Sequence, residues 1–92
     1  MRITVIRTGG FAGLTRRATV ETGDRPDAEE LAQLADQAVR EGLSEAPTGV
    51  PDGFHYEVDV ATDQSAATAH FADPKLTEAQ SALVRKVLKE GA

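Results

Sequence analysis

The chain has 92 residues, 40% of them hydrophobic, 27% charged and 4% aromatic, with a net charge of −5. A chain of that size holds one core, so residues 1–92 are read as a single domain. The lack of cysteine excludes disulfides and cysteine-held zinc or iron–sulfur centres; no apolar run reaches the length of a signal-peptide core or a membrane span, so a cytoplasmic protein without a membrane partner is expected.

Residues 2–7, RITVIR, alternate with Ile3 and Val5 on one face. Residues 14–21, LTRRATVE, alternate with Leu14, Ala18 and Val20 on one face. Both patterns predict half-buried strands. Residues 8–13 between them, TGGFAG, are too many for a two-residue hairpin turn and read as a longer glycine-rich loop. After a turn at 22–26, the spacing predicts a helix over 27–41 with Leu31, Leu34, Ala35, Ala38 and Val39 as its apolar stripe. Asp27, three residues before Glu30, reads as its capping residue, and Gly42 as its stop.

Residues 43–53 hold two prolines and two glycines and read as a connecting loop. FHYEVDVA at 54–61 then alternates without exception, with Phe54, Tyr56, Val58 and Val60 facing one way. A turn at 62–65 leads to a strand at 66–72 with Ala67, Ala69 and Phe71 inward. A second helix follows over 77–90, with capping-box spacing between Thr77 and Gln80 and a stripe of Ala79, Leu83, Val84, Val87 and Leu88. The order ββαββα predicts an α+β fold, a four-stranded antiparallel sheet with both helices on one face.

Charge is unevenly spread. Residues 1–20 hold Arg2, Arg7, Arg16 and Arg17 and no acid, whereas most carboxylates fall in 21–73. Solvated faces account for much of such a pattern; a charged partner is the sharper reading. The basic hairpin does not suffice for nucleic acid, since the body is acidic and no aromatic platform accompanies it. The acids at 52, 57, 59 and 63 lack the spacing of a calcium loop.

No constellation for catalysis is visible: there is no HExxH, no phosphate-binding loop and no cysteine nucleophile. His55 and His70 fall on the polar face of the second hairpin. Pairing Val58 with Ala69 sets Glu57 opposite His70, a weak cross-strand ion pair or, read as chemistry, a base and its orienting group. A solvated pair is the plainer account, and no metal site, cofactor or catalytic residue is expected.

The glycine loop is the distinctive feature. Gly9, Gly10 and Gly13 allow close approach to another surface, and Phe11 sits at the tip. Phe11 either anchors in a partner's pocket or folds back as a lid on the sheet edge. If Ile3 pairs with Val20 and Val5 with Ala18, Arg7 faces Arg16, a repulsive pair that needs compensation from within or from a partner.

The run Arg7, Thr8, Gly9, Gly10, Phe11, Ala12, Gly13, Leu14 and, two residues on, Arg16 resembles the opening of the emfourin family, small protein inhibitors of protealysin-like, thermolysin-family zinc metallopeptidases. The later order of helix, aromatic-rich strand, strand and helix is similar too. The resemblance implies a reversible inhibitor without enzymatic activity, with zinc supplied by the partner peptidase. It implies that Arg7 to Leu14 and Arg16 form the contact, Phe11 acting as anchor. The free chain is expected to be a monomer. A non-inhibitory interaction module using the same loop is the alternative, and a small enzyme built on His55, Glu57 and His70 a third reading.

Overall fold

Alternating apolar residues drive four segments into one antiparallel sheet. A computed structural model describes residues 1–9, 15–45, 53–73 and 75–92. In chain order the elements are β1 (Arg2–Gly9), β2 (Arg16–Glu21), α1 (Ala28–Arg40), β3 (Phe54–Ala61), β4 (Ala66–Ala72) and α2 (Glu78–Glu90). The sheet order is β2-β1-β3-β4, so the first strand of each hairpin lies in the centre. This is the α+β, ββαββα arrangement that the patterning predicts.

The expected hairpin registers hold. Ile3 pairs with Val20, Val5 with Ala18 and Arg7 with Arg16, while Glu57 pairs with His70 and His55 with Ala72. The pairing of β1 with β3 joins the hairpins into continuous cross-strand rows. One row runs Val20, Ile3, Val60, Ala67; the next Ala18, Val5, Val58, Ala69; the third Arg16, Arg7, Tyr56, Phe71. All three rows face the helices, since side chains alternate with a period of two.

The core is aliphatic. Ile3, Val5, Val58, Leu31, Leu83 and Val87 are fully buried in one cluster. Helix α2 lies over β1 and β2, and α1 over β4. Within α1 the predicted stripe divides, with Leu31, Ala35 and Ala38 buried and Leu34 and Val39 half-buried at its margin. Ala67, expected inward, has the right parity but is exposed, because an open pocket separates it from Ala35, Asp36 and Val39 of α1.

The helix starts differ. Thr77 caps α2 in a full capping box: its hydroxyl accepts from the Gln80 backbone N–H, and the Gln80 side chain accepts from the Thr77 N–H. Buried Gln80 also donates to the Ala38 carbonyl at 3.2 Å, tying the start of α2 to the end of α1. Asp27 occupies the cap position of α1 but makes no side-chain cap bond, contrary to expectation. Its carboxylate is taken by Arg25 at 2.9 Å and Lys86 at 2.8 Å, and two full cations outcompete a backbone N–H for it.

Each sheet edge is engaged at one point. Thr19 on β2 exchanges two backbone hydrogen bonds with Ala92, and His70 on β4 exchanges two with Leu43. The approach of the tail to β2 depends on Gly91, where a Cβ would lie 3.0 Å from both the backbone N and O of Thr19. Such contacts blunt edges that otherwise invite pairing with a second chain.

Candidate functional site

Of the residues singled out in the first hairpin, Arg7, Thr8, Gly9 and Arg16 are placed by the structure. Gly10, Phe11, Ala12, Gly13 and Leu14 lie outside the described residues, as do residues 46–52 of the connecting loop. Arg7, Thr8, Gly9 and Arg16 belong to the ends of β1 and β2.

At that departure Gly9 adopts φ +98°, a left-handed backbone conformation that side chains resist. It pairs with Phe54, and a Cβ here would stand 2.9 Å from the Gly53 carbonyl oxygen. Two independent constraints therefore demand glycine where the chain leaves the sheet.

Arg7 and Arg16 pair directly and line one cleft on the helix side. No ion pair resolves their repulsion among the described residues. The Arg7 guanidinium lies over the Phe54 ring, 4.5 Å from its centroid, in a cation–π contact that offsets part of the cost of crowding two cations. Arg16 donates from Nη2 to the Leu88 carbonyl. That carbonyl is in the last turn of α2, where acceptors lack helical partners and the helix dipole is negative. Thr8 faces the opposite side of the sheet, across from His55, so the structure does not bring it together with the two arginines.

The cleft has a volume of about 380 Å³. Among the described residues its cations are Arg7, Arg16, Arg85 and Lys89, and Asp73 is its one carboxylate. Tyr56 forms part of the floor, stacked on Phe71 with ring centroids 5.6 Å apart. Burial pushes the Tyr56 hydroxyl's pKa up, and nearby Asp73 pushes it further, with Arg7 acting against them. Arg85 and Lys89 did not enter the sequence reading as site residues. Their spacing of four marks a shared helix face, but only the packing of α2 on β1 and β2 puts that face beside the arginine pair.

The other side of the sheet carries His55, Glu57 and His70, as the alternation predicts. Glu57 stands opposite His70, yet no ion pair within 4 Å joins them among the described residues. The Glu57 carboxyl is instead pushed above its usual pKa, first by burial and then by its neighbour Asp59. Among the described residues no three His, Cys, Asp or Glu side chains converge as a metal site would require. No described helix is long and apolar enough to cross a membrane.

Comparison with protein-family models gives a match to the Emfourin model over residues 5–88. The chain belongs to the Emfourin family. No curated protein and no solved structure matches it at a significant level. The matched span begins in β1 and ends in the last turn of α2, so it holds Arg7, Arg16 and Arg85 of the cleft and leaves out Lys89 and the first residues of β1.

Proposed function

We propose that this Emfourin-family protein is a reversible inhibitor of a thermolysin-like, protealysin-like zinc metallopeptidase. It acts as a single 92-residue domain, monomeric when free, in the cytoplasm. Family membership across residues 5–88 is the observation that carries this reading. The geometry of the described residues supports a role for the hairpin: β1 ends on a left-handed Gly9, with Arg7 and Arg16 paired two residues before it. The contact comprises Arg7, Thr8, Gly9, Gly10, Phe11, Ala12, Gly13, Leu14 and Arg16. Phe11 anchors it in the peptidase cleft, and inhibition then requires a complementary surface and no chemistry of its own.

The test is titration of the protein into thermolysin-like peptidases. Stoichiometric loss of activity is expected with the cognate enzyme. Binding without loss of activity across a panel would overturn inhibition in favour of a docking module. Replacing Gly10 and Phe11 together should weaken inhibition by roughly tenfold or more, about 1.4 kcal/mol per decade. A folded double variant of unchanged potency would show that the contact lies elsewhere.

A further inference from the structure

The ten lysine and arginine side chains fall into three groups. Arg2, Arg25, Arg40 and Lys86 each have a carboxylate within 4 Å. Arg17 and Lys75 have none among the described residues and stand apart; Arg7, Arg16, Arg85 and Lys89 have none either, and these four line one cleft, with Asp73 the one acid among its described lining residues. This local excess of positive charge stands on a chain whose net charge is −5, so it does not follow from composition.

We propose that this cleft is a second docking site, which receives an acidic, partly apolar segment of the inhibited peptidase beside the hairpin loop. The inference rests on the inhibitor reading above. Its chemistry follows from the walls. Arg7 lies over the Phe54 ring, a contact that takes up none of its N–H donors in a conventional hydrogen bond and leaves them for a carboxylate. Arg16 is oriented by its bond to the Leu88 carbonyl and keeps further donors free. Exposed Arg85 and Lys89 form the opposite wall, one helical turn apart. Between them Tyr56, Leu76, Val84 and Leu88 supply an apolar floor. Such a surface fits a segment that alternates carboxylate and apolar side chains. Because Arg7 and Arg16 belong to both cleft and loop stem, one partner can engage both at once. The cleft then steers the loop into place, an effect that salt screens.

The test compares inhibition constants across roughly 50 to 500 mM salt for the wild type, Arg85→Glu/Lys89→Glu, Arg85→Gln/Lys89→Gln and the Gly10/Phe11 double variant. Circular dichroism checks folding of each. Charge reversal is expected to weaken inhibition at low salt by roughly tenfold or more and to flatten its salt dependence. The glutamine pair should lie between reversal and wild type. The loop variant should lose potency equally at every salt concentration. A folded reversal variant, or failing that the glutamine pair, with wild-type potency and salt dependence overturns the cleft proposal. If the loop variant is impaired in the same experiment, the inhibitor reading survives that failure. A wild type that inhibits no peptidase in the panel overturns both.

Discussion

Along one stripe of α2, Lys86 meets Asp27, which also holds Arg25, and Arg25 reaches on to Glu90. Along the next stripe, Arg85 and Lys89 share a cleft with Arg7 and Arg16, with Asp73 the one acid among its described residues. The same side-chain types thus serve opposite ends a few residues apart. In the seam each charge is neutralised by a partner from another part of the chain, joining the start of α1 to the middle and end of α2. In the cleft the charge is left largely uncompensated, tolerated through a ring face and a helix-end carbonyl. Internal neutralisation stitches a fold; charge without it is available to a partner.

The largest expected effect falls at the end of β1, two residues from the Arg7 of the cleft. Gly9→Ala forces a side chain into a left-handed conformation and against the Gly53 carbonyl. A loss of about 1–3 kcal/mol in unfolding free energy is expected, measurable by urea titration, together with weakened inhibition. An unchanged stability would show that the stem relaxes without penalty.

Asp27→Asn breaks the seam instead. It should lower Tm by a few degrees at neutral pH and leave the inhibition constant unchanged. The pH dependence has a definite sign. Arg25 and Lys86 hold the Asp27 carboxyl well below its ordinary value of 3.8, so the folded state favours the ionised form. That stabilisation is present above the ordinary value and is lost as pH falls towards the lower, folded-state value. The Tm curves of wild type and variant should therefore converge in strong acid; a constant gap at all pH values would assign the effect to something other than this charge.

Glu57 sharpens the comparison with the opposite sign of charge, since burial and Asp59 raise its carboxyl. Here the folded state favours the protonated form, so ionisation at neutral pH costs stability. Glu57→Gln should raise stability slightly, by no more than about 0.5 kcal/mol. The gain should fade as the pH drops through the carboxylate range, which a thermal scan at several pH values resolves.

Much of this was legible in the amino-acid sequence. Two-residue alternation in RITVIR and FHYEVDVA fixes the strands and their buried faces, because the side-chain period of a strand leaves no other consistent assignment. The stripes of Leu31, Ala35 and Ala38 and of Leu83, Val84 and Val87 fix the helices in the same way. The GGFAG run carries the family resemblance that the model match over residues 5–88 bears out. Asp27 shows the limit of local reading, since its spacing fits a cap while its carboxylate is taken by a lysine 59 positions away along the chain.

Only the tertiary structure decided what stands beside the loop stem. Hairpin registers are local, set by two neighbouring strands and their turn. The placement of β1 against β3 is not, and it brings Tyr56 and Phe54 next to Arg7. The seating of α2 over β1 and β2 adds Arg85 and Lys89 from near the other end of the chain. Burial of apolar stripes drives both choices without regard to charge, because the hydrophobic effect is non-directional. The gathering of four cations around one cleft is therefore a product of packing that no single segment of the sequence encodes.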